Sequence, residues 1–305
     1  GGDLTRFSSV RWSGCEDGAW HVADPAKQGD YYWNNNAFEE MWRDALRKAD
    51  PGVDFHAYDV DADGRITPDE LVVMIVRPQT SAYGTIRSTT LGLDGGSSLT
   101  VTLADLYLGA DPGRRRLNVG LTAHELSHAM LGALDLHSCA STTRPGTASI
   151  MDNHVEATLL DPLHRLKFGY AVPSMVDIPS SATMSGVVLP AAALSRQLVL
   201  LTDRARGDRE YFVLDYRRAN TGAGAHDNLV PQVIVWHIIE DWSLASAFPP
   251  PNGAACGPDR NSVRVLRRMT AANDSIDLAW ADGTPARMRV AIGRASCRER
   301  VCYVV

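Results

Sequence analysis

Residues 122–132 read Thr-Ala-His-Glu-Leu-Ser-His-Ala-Met-Leu-Gly, and no other string constrains the chain as much. The pattern from 119 to 131 is helical, and two histidines four apart on a helix stand on one face, one turn above the other. His124 and His128 can therefore reach a single Zn2+. Catalytic zinc takes three protein ligands and keeps one position open. Glu125, next to the first ligand, is placed to accept a proton from water there and to deliver it to a leaving group. Leu126, Ala129, Met130 and Ala133 fall on another face and are expected to pack into the core, leaving the histidine side wet. Gly132 suits a left-handed helix end, which would swing the following residues back toward the metal. Asp135 is the first choice for third ligand, because a carboxylate oxygen commonly fills that place; His137 comes second and Glu156 third. Met151, in Ser149-Ile150-Met151-Asp152, is a candidate apolar floor under the site.

A second motif lies upstream. From Asp59 to Glu70 the chain follows the twelve-residue calcium loop D-x-D-x-D-G with a closing Glu. Asp59, Asp61 and Asp63 offer oxygens, Arg65 offers its carbonyl, and Glu70 can close the shell with both carboxylate oxygens. Gly64 makes the sharp turn. Four carboxylates this close repel one another unless a cation sits between them. The loop stands alone and is followed by a strand-like run rather than an exit helix, so a structural Ca2+ is expected, not a signalling pair.

Around these motifs the pattern is mixed. Residues 1–29 are irregular and turn-rich, with Trp12 and Trp20. Phe38, Met41, Trp42, Ala45 and Leu46 recur at helical spacing behind Asn34, Asn35 and Asn36, which predicts an Asn-capped helix ending near Asp50-Pro51-Gly52. Residues 71–76 read as a buried strand and a loop is centred on 94–98. Strands are expected at 187–189, 198–202, 211–216 and 233–239, with a turn at Arg206-Gly207-Asp208. This predicts an α+β chain in which a catalytic part at 30–175 precedes a β-rich part at 176–291. Residues 292–302, IGRASCRERVC, read like a translated sequencing adapter, so 292–305 is left out of the fold prediction. The chain starts at Gly1, and a signal peptide is expected outside it.

Composition removes some classes of function. The 36 carboxylates outnumber the 30 Lys and Arg, which argues against a nucleic-acid surface. No apolar run is long enough to predict a membrane-spanning helix. Outside residues 292–305 three cysteines remain, Cys15, Cys139 and Cys256, which make no metal-binding spacing and do not fix a redox compartment.

Further segments accompany the motifs. Val53-Asp54-Phe55-His56-Ala57-Tyr58 leads into the calcium loop, and Gly132-Ala133-Leu134-Asp135 follows the histidine helix. Ser149-Ile150-Met151, residues 160–170, residues 210–217 and residues 233–239 come after. In this order they resemble the immune inhibitor A family of secreted bacterial zinc metallopeptidases, over residues 30–245. The resemblance implies a zincin-like catalytic domain with a β-rich extension, acting on protein substrates outside the cell. It also implies a propeptide and further C-terminal domains in the full-length protein. Two departures stand out. Three residues rather than the usual two separate His128 from Gly132, a rotation of about 100° if absorbed as helix. His137 also stands where the family commonly has Tyr. The expected function is a zinc endopeptidase with Glu125 as general base. The alternatives are a calcium-stabilised extracellular binding or adhesion module on a decayed peptidase scaffold, and a non-peptidase zinc hydrolase. His154 and Tyr170 are candidates for stabilising the oxyanion.

Overall fold

The computed structural model describes residues 37–77, 84–96, 98–107, 119–137, 144–154, 159–177, 184–218, 230–241, 262–270, 274–292 and 300–304. The chain divides into two compact units, Gly1–Gly132 and Ala133–Val305. The division falls at the glycine that follows the histidine helix, upstream of the 175/176 boundary expected from the change in composition.

In the first unit, helix α1 (Phe38–Ala49) carries Glu39 and Glu40 in its first turn and Arg47 and Lys48 in its last, which matches the helix dipole. Its N-cap is Ala37 with no side-chain cap, not the expected asparagine. The sheet comprises β1 (Arg65–Ile66), β2 (Val73–Arg77), β3 (Gly84–Gly92) and β4 (Ser98–Tyr107). β4 pairs in parallel with β1 and β2 and antiparallel with β3. The stretch read as a loop around 94–98 is the turn of the β3–β4 hairpin, with Asp94 and Gly95 both at positive φ. Strand β3 escaped prediction because its open face is polar: Ser88 and Thr90 pair their hydroxyls with Thr102 and Thr100 across the ladder. β2 also departs from the buried strand expected, since Met74 is 39% exposed between half-buried Val73 and Ile75.

Leu91, Leu99, Val101 and Leu103 of the hairpin pack with Met41, Trp42 and Leu46 of α1. Within that contact, Trp42 Nε1 donates to Asp105 Oδ2 at 3.0 Å, both residues being buried. Trp42→Phe keeps most of the apolar area but takes a donor from a buried carboxylate. The expected loss is about 1–3 kcal/mol, measured by urea unfolding. Helix α2 (Val119–Leu131) lies against β3 and β4.

The second unit is mainly β. Five strands stand in the order β10 (Val263–Met269), β9 (Gln232–Ile239), β8 (Glu210–Arg217), β7 (Gln197–Thr202) and β5 (Val172–Asp177). A second sheet runs β11 (Ser275–Ala279), β12 (Pro285–Ile292), β13 (Arg300–Val304) and β6 (Met184–Leu189). Leu201, Phe212, Leu214 and Val235 of the first sheet pack with Met288 and Val290 of the second and with Trp280, which follows β11. β8 and β9 are buried along their whole length, as central strands covered on both faces must be. The tail left out of the fold prediction supplies β13, which pairs antiparallel with both β12 and β6. Ladder bonds are made by backbone, so the tail's composition gives little sign of that pairing. Helix α3 (Pro162–Lys167) completes an α+β chain that is mostly β. Among the described residues no helix is long and apolar enough to cross a membrane.

Candidate metal centre

On α2, His124 Nε2 and His128 Nε2 stand 3.1 Å apart, their rings edge to face at a centroid distance of 4.7 Å. Two nitrogen ligands of a tetrahedral zinc, each about 2.0–2.1 Å from the metal, lie roughly 3.3–3.4 Å apart. The pair thus has nearly the spacing that one shared zinc requires. Glu125 Oε1 lies 4.0 Å from His124 Nε2, so the carboxylate sits beside the same nitrogen.

Of the residues expected to pack into the core, Ala129 and Ala133 are buried and Leu126 is half-buried, but Met130 is exposed, and the histidine side is not the wet one expected. His124 and Glu125 are 3% and 4% exposed, and Leu121 and Ala129 are buried with them, while Met130 is 36% exposed. Nine residues at about 100° each put Met130 half a turn round from Leu121. His124 and Glu125 lie on the shielded side, with His128 half-buried beside them. Low exposure suits a metal site, because charge–charge and charge–dipole interactions strengthen where water is excluded.

Gly132 follows the helix at φ +63°, the left-handed conformation, with its N–H bonded to the His128 carbonyl at 3.0 Å. The second unit then opens with a segment of no regular secondary structure. Within it Asp135 Oδ1 and His137 Nε2 are 3.0 Å apart, with side chains about one-third and two-fifths exposed. The backbone on either side of Asp135 is held. The Leu134 N–H donates to His164 Nε2 at 2.9 Å, and the Leu136 N–H donates to the Met151 carbonyl at 2.9 Å.

Behind that segment lies a buried polar chain that sequence reasoning missed. Asp161 caps α3 by accepting the His164 N–H at 3.2 Å, with Pro162 at the first helical position. Its Oδ2 also lies 2.6 Å from His164 Nδ1 and accepts from Ser149 Oγ at 2.9 Å. Burial pushes the Asp161 carboxyl up, but the adjacent His164 ring, the His164 N–H and the Ser149 hydroxyl more than offset this and hold it below the usual carboxylate range. The string Asp161-Pro162-Leu163-His164 is a legible helix start, and it was the available signal. Met151 is fully buried, and its N–H donates to Ser149 Oγ at 3.2 Å. His154 is half-buried and Tyr170 is 45% exposed. Glu156 lies outside the described residues.

In the acidic loop, Asp59, Asp61 and Asp63 each bring a carboxylate oxygen within 4.8 Å of the others. Gly64 takes φ +79°, and the N–H groups of Asp63 and Gly64 donate to Asp59. Glu70 closes the loop, accepting from the Val60 N–H at 2.8 Å and from the Thr67 N–H at 2.8 Å. The Thr67 N–H, against a weaker opposing effect of burial, lowers the Glu70 pKa. Arg65 begins β1 and pairs with Thr100, whose N–H bonds the Gly64 carbonyl at 3.0 Å, so the loop is strapped to β4. Searches against protein-family models, curated proteins and solved structures found no match to the chain.

Proposed function

We propose that the chain is a zinc-dependent endopeptidase of zincin-like architecture, exported from the cell and acting on proteins. The observation that carries the proposal is the pair of Nε2 atoms 3.1 Å apart on one helix face, His124 buried and His128 half-buried, with the Glu125 carboxylate beside His124. His124 and His128 would hold the zinc, with Asp135, or failing it His137, as third ligand. Imidazole nitrogens and a carboxylate oxygen are donors that zinc accepts. When bound, zinc supplies Lewis-acid chemistry, polarising the scissile carbonyl and acidifying water. Glu125 takes the proton from the attacking water and delivers it to the leaving amine nitrogen, after which the carboxylate is restored. The shielding of His124 and Glu125 limits competing solvent at that step. The mixed sheet of the first unit, with α2 against β3 and β4, supports the zincin-like reading.

The test is cleavage of quenched fluorescent casein by the purified chain with zinc and calcium present. Activity that 1,10-phenanthroline abolishes and zinc restores supports the proposal. Silence from a folded, zinc-loaded protein turns the reading toward a binding module on a decayed scaffold.

Calcium has a separate structural role in this reading, clamping residues 59–70 against β4. A ligand at 100 times its Kd stabilises a native state by about 2.7 kcal/mol. Calcium is therefore expected to raise the melting temperature of the chain by several degrees, and Glu70→Ala is expected to remove that rise. A calcium-independent melt would contradict the role.

A further inference from the structure

One arginine of the second unit is half-buried where the nearby carboxylates are already taken. Asp215, Ile234 and Arg268 stand in one row across β8, β9 and β10, and Arg217 lies two residues along β8 on the same face. Arg217 shares Asp215 with Arg165. Among the described residues, the acceptor that Arg268 reaches is the Pro145 carbonyl. Asp152 is the carboxylate that favours its charge, but Asp152 is committed elsewhere. Arg144 Nε lies 3.0 Å from each of its oxygens, and Arg144 Nη2 and the Gly146 N–H donate to it as well. Burial and the neighbouring Arg217 push the Arg268 guanidinium below its ordinary value, and Asp152 opposes them only in part.

We propose that Arg268 and Arg144 form an anion site beside the Pro145–Gly146 turn, which takes a small oxyanion, either a carboxylate or a phosphate-type group. A guanidinium carries five N–H donors in a planar fork. Arg268 gives Nη2 to Pro145, and the rest of the fork matches two oxygens of such a ligand. A charge taken out of water without a counter-charge is costly, and an oxyanion supplies both the missing charge and the missing acceptors. The linked groups are cation-rich, since Arg144, Arg165, Arg217 and Arg268 stand against Asp152 and Asp215. Arg144 forms the solvent side, its side chain 38% exposed above a fully buried Asp152. Gly146, at φ +54°, presents bare backbone next to Arg268 Nη2. All of these residues belong to the second unit, so the site is independent of the zinc reading.

The test melts the full chain in sodium chloride, phosphate, sulfate and acetate at one ionic strength, and then titrates it calorimetrically with each of the three oxyanions. The expected result is a saturable rise in melting temperature that chloride does not reproduce, with one anion bound per chain. Phosphate and sulfate acting without acetate identify a phosphate-type group, and acetate acting alone identifies a carboxylate. Arg268→Met keeps the apolar stem and loses the fork, so affinity falls about 10–100-fold. Arg268→Lys keeps the charge without the fork and loses less, though measurably. Arg289→Met, on exposed β12 surface, binds as the parent chain does. A parent chain with no saturable response overturns the site, and so does a folded Arg268→Met with parental affinity. An equal loss in Arg289→Met would show a general charge effect and overturn it too. Should Arg268→Met unfold, Arg268→Lys decides, and parental affinity there is the contrary result.

Discussion

If the proposed zinc chemistry is right, Glu125→Gln is expected to abolish peptide hydrolysis while leaving zinc binding and the melting temperature near those of the parent chain. The substitution is nearly isosteric and keeps an oxygen at the position now 4.0 Å from His124 Nε2. An amide has no useful basicity, however, so the proton of the attacking water has no acceptor and the leaving amine has no donor. General acid–base groups contribute about 100- to 10,000-fold, and a residue serving at both steps belongs at the upper end. The loss should fall on kcat rather than KM, because Glu125 acts on the reacting atoms and not on substrate binding. An active Glu125→Gln protein with a full complement of zinc would remove Glu125 from the mechanism.

The second large effect concerns the fold. Asp215 is 1% exposed between two arginines: Arg165 Nη1 at 3.2 Å and Arg217 Nε at 2.6 Å. The arginines have further acceptors, Arg165 in the Ser195 carbonyl and Arg217 in the Leu160 carbonyl, so the cluster ties α3, Leu160 just before it and Ser195 just ahead of β7 to β8. Asp215→Ala leaves two guanidinium groups buried beside an uncompensated hole. Breaking a buried ion pair from one side costs about 3–5 kcal/mol, a large part of a domain's stability. Urea unfolding should show that loss, whereas a change below about 1 kcal/mol would mean that the cluster is hydrated and unimportant.

The same cluster sets a pH dependence. Burial pushes the Asp215 carboxyl up, but Arg217 and Arg165 outweigh it and hold the pKa below the ordinary value. A depressed folded pKa gives stability that is present above the unfolded value of about 3.9. That stability is lost as pH falls through the folded value. The parent chain should therefore weaken in acid more steeply than Asp215→Asn.

How far the sequence determines the reading differs from element to element. Helix α2 and its glycine end were legible because the two histidines, the apolar positions and Gly132 all agree on one helix and one stop. The turn at 59–70 was legible because its acidic residues and Gly64 are tied to fixed positions, and the same positions set its own hydrogen bonds. β8 and β9 announced themselves as apolar runs, since both faces are covered. β3 did not, because its hydroxyl-bearing residues look like loop composition until the pairing with β4 is known. The face assignment of α2 held for Ala129 and Ala133 and failed for Met130, for a related reason. Histidine and glutamate count as polar in any pattern, yet here His124 and Glu125 are buried and Met130 faces outward. The Asp161–His164 pair lies within α3 and its cap, but its link to Leu134 spans thirty residues, and no local pattern reports that.

The central claim is that α2 carries a zinc centre, and the most direct measurement is calorimetric titration of the metal-free full chain with zinc, alongside His124→Ala. The account predicts one tight zinc per parent chain, with the heat of tight binding lost in His124→Ala although calcium still stabilises that variant. Absence of tight zinc binding by the folded parent chain, or binding that His124→Ala leaves unchanged, would contradict it.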